Sequence, residues 1–387
     1  MKSLNYIGIL VLIFTFFLLP STSHATGEQS NPEIEVYKLI KNYHVSGKTP
    51  SRNAQGSIDS MLLELNDPYA RYYSAKQVKD LLDSNQGKIA GIGVLLGGRD
   101  NQVFVDQVFD FTPAKKAGLL QGDQIIAIDN TLVQKMTLEE VTYLLRGEKD
   151  TQVSLQIKRG KLVRNYLILR QPVQIPLVEA NLLTNEIGYI RITSFTDKAA
   201  NQFVNELEKL KQKNVKGLIL DLRGNSGGVI SAVNKVVGQF VGEGTLAFIH
   251  NTHVLQEAIP IRNGKDWDIS LAILVNEQTA SAAEVTTGAL RYYRQAIIVG
   301  TQTFGKGTVQ QLFMLQDGSA LKITVDEYSL PAQDKVDGIG LTPDVLIKNP
   351  SNQRLFAMEE LLRMINKSTT PTSQFRTLPN NNYFYSF

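Results

Sequence analysis

The spacing of apolar residues changes twice along the mature part of this 387-residue chain, and each change marks a new kind of element. Ile34, Val36 and Ile40, then Met61, Leu62 and Leu65, and then Val78, Leu81 and Leu82 recur at helical intervals. They predict a small helical segment over residues 28–88, in which "NDPYARYYS" reads as a turn between two helices. From Gly91 the runs become short and β-rich: "GIGVLLGG", "QVFVDQVF", "QIIAID", "QVSLQIKRG" and "RNYLILRQ", broken by two helical pieces, "TPAKKAGL" and "TLEEVTYLLRG". Five or six strands with two helices predict a compact module over 90–171.

From about residue 186, buried strands alternate with amphipathic helices: "IGYIRI", "AANQFVNELEKLKQ", "GLILDL", "VISAVNKVVGQFV", "LAILVN", "SAAEVTTGALRYYR" and "AIIVG". Continuous apolar strands flanked by such helices imply βαβ units around a sheet covered on both faces. This α/β unit is placed at 172–348. Its later runs "TVQQLFML" and "SALKITVDEYSL" read as antiparallel strands joined by "QDGS". Residues 349–387 are expected to add one helix, "NPSNQRLFAMEELLRMIN", before a poorly ordered tail.

Composition narrows the class. An apolar fraction of 43% with 20% charged residues is that of a globular protein of two or three domains. A net charge of +3 without a Lys/Arg block argues against nucleic acid or an anionic membrane as partner. At the N-terminus, Lys2 precedes the apolar run Ile7 to Leu19, followed by Pro20 and Ser23-His24-Ala25, a small-x-small cleavage pattern. The run is shorter than the roughly 20 residues of a spanning helix. Residues 1–25 are therefore read as a cleaved signal peptide. The mature chain would keep no stable membrane span and work outside the cytoplasm, in a periplasm or at the outer face of the cell membrane. With no cysteine in the sequence there is no lipoprotein attachment site, disulfide framework or thiol nucleophile.

Sites in open α/β sheets form beyond the carboxyl ends of strands, and three loops there carry candidate chemistry. "DLRGNSGG" (Asp221 to Gly228) can turn backbone N–H groups toward an anion, but lacks the lysine of a phosphate loop. In "EQTASAAEV", Ser281 opens a helix; its hydroxyl is either a cap or a nucleophile favoured by the helix dipole. In "GTQTFGKGTVQQ", Lys306 lies between two glycines, either as a solvated turn residue or directed inward against other backbone. Of the histidines left after the signal, His44, His250 and His253, none lies in a glycine-rich loop, so a metal cluster or a Ser-His-Asp triad is poorly supported. A neutral lysine can replace histidine as the base.

Two resemblances sharpen this reading. The order "GIGV", "PAKKAGLLQGDQIIAIDN", "LEEVTYLLRG" resembles a PDZ domain, which binds an extended peptide as an added strand and holds its terminal carboxylate on backbone donors. It implies peptide binding at Gly91, Ile92, Gly93 and Val94. The set "GYIRITSF", "LILDLRGNSGG", "ILVNEQTASAAEV", "GTQTFGKGTVQ" and "GIGLTPDV" resembles the C-terminal processing peptidases, or tail-specific proteases. That resemblance covers nearly the whole mature chain. It implies a crotonase/ClpP-like protease core with a parallel-rich sheet, an inserted PDZ domain and an N-terminal helical segment.

By motif, the resemblance makes Ser281 the nucleophile, Lys306 the base and Gln310 the residue that orients the lysine. The N–H groups of Gly228 and Ala282 form the oxyanion hole, with Gly227 as the alternative to Gly228. Glu284 supports the site from one helical turn away, and Arg146 is the candidate link between PDZ and protease. Such an enzyme needs no cofactor and no metal. Its partners would be polypeptides with free C-termini, with room for an adaptor or activating protein and for a homodimer. The rivals are a peptide-binding protein without hydrolysis and a crotonase-like acyl-thioester enzyme; secretion and the PDZ resemblance count against the latter.

Overall fold

A computed structural model describes residues 31–79, 89–99, 102–173, 177–251, 256–332 and 334–368. The signal-peptide reading, the segment 80–88 and the tail beyond 368 lie outside the described residues. Helix α1 (Pro32–Tyr43) starts at an Asn31 cap with proline in its first turn, and α2 (Ile58–Leu65) starts at a Ser57 cap. Asn66 closes α2 in the left-handed conformation. The stretch that follows differs from expectation: after the turn at Asp67, Arg71–Tyr73 forms strand β1, antiparallel to a strand of the α/β unit in the register Arg71↔Lys322. Its tyrosine-rich sequence favours a strand once a sheet edge is available to pair with.

The second module is the β-rich unit expected from its pattern. Its strands are β2 (Ile89–Ala90), β3 (Val94–Arg99), β4 (Gln102–Val108), β5 (Gln124–Ile128), β6 (Thr131–Leu132), β7 (Gly147–Glu148), β8 (Gln152–Arg159) and β9 (Leu162–Leu169), with helices α3 (Pro113–Ala117) and α4 (Leu138–Leu145). The main sheet runs β3-β4-β5-β8-β9, so β3 is an edge strand, and α4 lies beside it. A Thr137–Glu140 capping box starts α4. Val105, Ile125, Ile128, Val141, Leu155 and Ile157 form a core separate from that of the rest of the chain.

The α/β unit contains β10 (Val178–Leu182), β11 (Ile187–Ile192), α5 (Asp197–Gln212), β12 (Gly217–Asp221), α6 (Ile230–Val237), β13 (Thr245–His250), β14 (Glu257–Pro260), β15 (Ser270–Val275), α7 (Ala282–Arg294), β16 (Ile297–Gly300), β17 (Thr308–Met314), β18 (Ala320–Ser329), β19 (Val345–Leu346) and α8 (Pro350–Ser368). One sheet runs β10-β11-β12-β15-β16-β19 and is parallel from β11 onward. Its side chains alternate between two buried faces. Leu218, Leu220, Leu271 and Ile273 pack with residues of α5, α6 and α7, whereas Ile219, Ala272 and Leu274 pack against Ala357, Leu361 and Ile365 of α8. Burial on both faces explains why these strands read as unbroken apolar runs. A second, antiparallel sheet joins β1, β18, β13 and β14, with β17 also paired to β18. The ends of β12, β15 and β16 bring the three candidate loops to one side.

Candidate active site

Ser281 occupies the turn from β15 into α7 with φ 53° and ψ −118°, a region that costs a non-glycine residue free energy and is held only where the surroundings enforce it. The turn has the reciprocal form of a capping box, yet its hydrogen bonds use the main chain of Ser281. Ser281 N–H donates to Glu284 Oε2 at 2.8 Å, and Glu284 N–H donates to Ser281 O at 2.8 Å. The Ser281 hydroxyl makes no side-chain cap bond. Oγ stands at the positive end of a 13-residue helix.

Beside it, the 221–228 loop is fastened at several points. Asn225 is buried; its Nδ2 donates to Ile192 O at 2.9 Å, its Oδ1 accepts the Gly227 N–H at 2.9 Å, and its O accepts Ala280 N–H at 3.0 Å. Thr279 Oγ1 donates to Leu222 O at 2.9 Å, which ties the loop to the serine turn. The Gly227 donor is therefore occupied, while Gly228 and Ala282 N–H have no protein acceptor among the described residues. Gly228 has φ 148°, and a Cβ there would stand 2.0 Å from Phe195 O, so only glycine fits. At the root of the loop, Asp221 accepts from Tyr189 Oη at 2.7 Å and from Arg223 Nε at 2.9 Å, and Arg223 Nη1 reaches Pro350 O at 2.8 Å.

Lys306 follows β16 on a loop pressed against other main chain. At Gly307 a Cβ would lie 2.4 Å from Asp337 N, which explains the flanking glycine. Lys306 is half-buried rather than fully solvated. The serine turn and the lysine loop share one carboxylate. Glu284, 0% exposed, accepts from Thr303 Oγ1 at 2.5 Å, Gly305 N–H at 2.8 Å and Lys306 N–H at 2.9 Å, besides Ser281 N–H. Burial raises its pKa above the ordinary glutamate value despite those donors. The four donors favour the ionised form against that burial. Tyr328 adds a second tie, its hydroxyl donating to Lys306 O at 2.7 Å, with Ser281 O at 3.3 Å. Burial pushes that phenol far up, so it stays a donor.

Gln310 is buried on β17, its Nε2 donating to the hydroxyls of Thr308 at 2.9 Å and Thr324 at 3.3 Å. Gly228, Ser281 and Ala282 line a narrow pocket whose other walls are Ile230, Ala247, Ile249, Ile259, Val285, Val309 and Tyr328.

The remaining candidates lie in the β-rich module. Gly91 N–H is taken by Gln171 O at 2.9 Å, whereas Ile92 and Gly93 N–H have no protein acceptor among the described residues. Val94 begins edge strand β3. Arg146 is exposed at the C-cap of α4, where its N–H closes the last turn. Three other links between this module and the core were missed from sequence. Arg71 Nη2 donates to Thr137 Oγ1 at 3.0 Å, with Nη1 3.1 Å from Glu140; Arg191 Nη2 donates to Gln107 Oε1 at 2.9 Å; and a Cβ at Gly224 would lie 3.3 Å from Leu95 Cδ2. Tyr328 was also missed, and nothing in "DEYSL" marks it. Asn225 was visible in its loop but without a role.

The sequence profile of peptidase family S41 matches residues 186–347, and a PDZ domain profile matches residues 90–168. A carboxyl-terminal-processing protease of Synechocystis sp. is 32% identical over 314 residues, 78% of this chain and 74% of the relative. A probable CtpA-like serine protease of Staphylococcus aureus (strain RF122 / ET3-1) is 32% identical over 325 residues, 83% of this chain but only 65% of that protein's length. Among solved structures, a photosystem II D1 C-terminal processing protease superposes with a TM-score of 0.69 at 28% identity, over 82% of this chain and 92% of the other. A putative S41 protease from Bacteroides fragilis shares the fold, with a TM-score of 0.57 at 16% identity over 89% of this chain and all of the other. The chain belongs to peptidase family S41 and is a serine-type peptidase carrying a PDZ domain.

Proposed function

We propose that this peptidase is a carboxyl-terminal processing protease that acts outside the cytoplasm through a Ser281–Lys306 dyad. The observation that carries the reading is Glu284, one buried carboxylate that ties the main chain of both residues together. In this reading the neutral Lys306 amine takes the Ser281 hydroxyl proton as Oγ bonds to the scissile carbonyl carbon. Gly228 and Ala282 N–H receive the oxyanion. The lysine then passes the proton to the leaving amine, and water releases the acyl group with Lys306 again as base. Free lysine titrates near 10.4, so work near neutrality requires an environment that disfavours the ammonium. Gln310, held by two threonine hydroxyls, orients the amine.

The apolar pocket beside Ser281 favours a small or medium apolar side chain before the scissile bond. The unpaired N–H groups of Ile92 and Gly93 at the start of β3 suit a substrate's terminal carboxylate. Support for the location is the N-terminal charge and apolar pattern of residues 1–25; among the described residues no helix is long and apolar enough to cross a membrane. The test is hydrolysis of an unstructured polypeptide by the wild type, Ser281→Ala and Lys306→Ala, each checked for folding by circular dichroism. Both variants should lose turnover. Undiminished cleavage by folded Lys306→Ala would remove the dyad, and by folded Ser281→Ala the nucleophile.

A further inference from the structure

The turn that carries Tyr69 reaches the lysine loop from the N-terminal segment. Lys306 Nζ lies 4.8 Å from the centre of the Tyr69 ring, a distance at which an ammonium is attracted to an aromatic face. Tyr69 is fixed from several sides. Its N–H donates to Asp67 Oδ1 at 2.9 Å, and Asp67 Oδ2 accepts from Thr324 N–H at 3.1 Å and lies 3.4 Å from His44 Nε2. His44 is 4% exposed. Val45 N–H donates to Thr324 O at 2.9 Å, and β1 begins to pair with β18 two residues beyond Tyr69. The Thr324 hydroxyl is also an acceptor for Gln310, so the turn and the lysine loop share supports. Burial alone would raise the Asp67 pKa, yet His44 and the Tyr69 and Thr324 donors hold it below the ordinary aspartate value. It stays an ionised anchor near neutrality.

We propose that Tyr69 is a positioning residue for Lys306, so that the N-terminal segment completes the active site of the core. The inference rests on Lys306 being the base. The ring face attracts the ammonium more than the neutral amine, so the contact strengthens as the Ser281 proton moves onto Lys306. An interaction stronger in the transition state than in the ground state accelerates the step. The charged groups around this corner are Asp337 on the loop after β18, Asp67 on the turn and Glu284 on α7, with the Tyr328 hydroxyl from β18. All of them remain when Tyr69 is changed.

The experiment measures kcat and KM against pH for the full chain on an internally quenched peptide with a free, apolar C-terminus. The proteins compared are the wild type, Tyr69→Leu, Tyr69→Phe and Lys306→Ala. Tyr69→Leu should lower kcat about tenfold with KM within about twofold, and should move the acid limb of the profile to lower pH by about half to one unit, because the ammonium loses its aromatic face. Tyr69→Phe keeps the face and should restore both. A reduced rate with an unmoved acid limb, or a Phe variant as impaired as the Leu variant, would overturn the proposal. An inactive Lys306→Ala beside an unaffected Tyr69→Leu defeats this inference alone; an active Lys306→Ala defeats the dyad and this inference with it.

Discussion

Glu284→Gln changes the shared carboxylate by one atom and leaves the volume nearly constant. In the wild type, Oε1 serves Thr303 and Gly305, and Oε2 serves Ser281 and Lys306. A glutamine accepts at one oxygen only: if its NH2 faces Ser281 and Lys306, two N–H groups lose their acceptor, whereas if it faces Thr303 and Gly305 the threonine hydroxyl can turn to accept and only Gly305 N–H is left. A buried donor without an acceptor costs about 1–3 kcal/mol, so the loss is about 1–3 kcal/mol in the second orientation and about 2–6 kcal/mol in the first. Replacing a buried charge by an amide returns part of this, since burial already raises the Glu284 pKa. The net loss should lie in the lower half of these ranges and appear as a fall in Tm of several degrees, at about 2–4 °C per kcal/mol for a unit of this size. Turnover should suffer more. If the amide nitrogen faces Ser281 and Lys306, the two loops repel rather than bind the splint, and kcat should fall on the order of a hundredfold. KM should change little, because Glu284 does not line the pocket. The pH profile supplies a further check: protonating wild-type Glu284 removes acceptor capacity, so activity should fall as pH drops through its raised pKa, and that component should be missing from the variant. Differential scanning fluorimetry and steady-state peptide hydrolysis measure both effects. A Glu284→Gln protein with wild-type Tm and kcat would refute the splint.

Two further outcomes follow from the site. Asn225→Ala removes the acceptor for Gly227 N–H and the donor to Ile192 O; the loop bearing Gly228 then loses its alignment, and kcat should fall on the order of a hundredfold, the scale of one oxyanion donor, with an unchanged rate arguing against that loop. Peptides with a free C-terminus should be cut faster at subsaturating concentration than their amidated twins, since amidation removes the charge that Ile92 and Gly93 N–H would receive; equal rates would argue against reading of the tail.

The parts legible in sequence are those with local signals. The alternation of Leu218, Ile219 and Leu220 between two buried faces is a strand pattern that no neighbouring element changes. Ser281, Lys306 and the glycine-rich loop lie at strand ends, where chain direction alone places chemistry. Glu284 could be named because it stands one helical turn from Ser281, but its bonds to Thr303, Gly305 and Lys306 span about twenty residues and have no periodic signature. The strand Arg71–Tyr73 was hidden for a similar reason: its pairing partner lies some 250 residues away, so short local spacing favoured a turn. Likewise, Arg71, Gln107 and Leu95 make contacts between the β-rich module and the rest of the chain through side chains whose direction only the fold sets.

The strain at Ser281 shows why so many elements meet there. A non-glycine residue at φ 53° and ψ −118° carries a cost of about 1–3 kcal/mol, which the turn would shed by relaxing if it were held at one point. Instead it is held at three. Ser281 N–H is bound by Glu284 of α7, Ala280 N–H by Asn225 of the neighbouring loop, and Ser281 O by Tyr328 of β18. Each tie comes from a different part of the sequence, and two of them extend directly to the lysine loop. Loosening one tie therefore releases strain locally without exposing the core beneath, so such changes should impair turnover more than they lower stability.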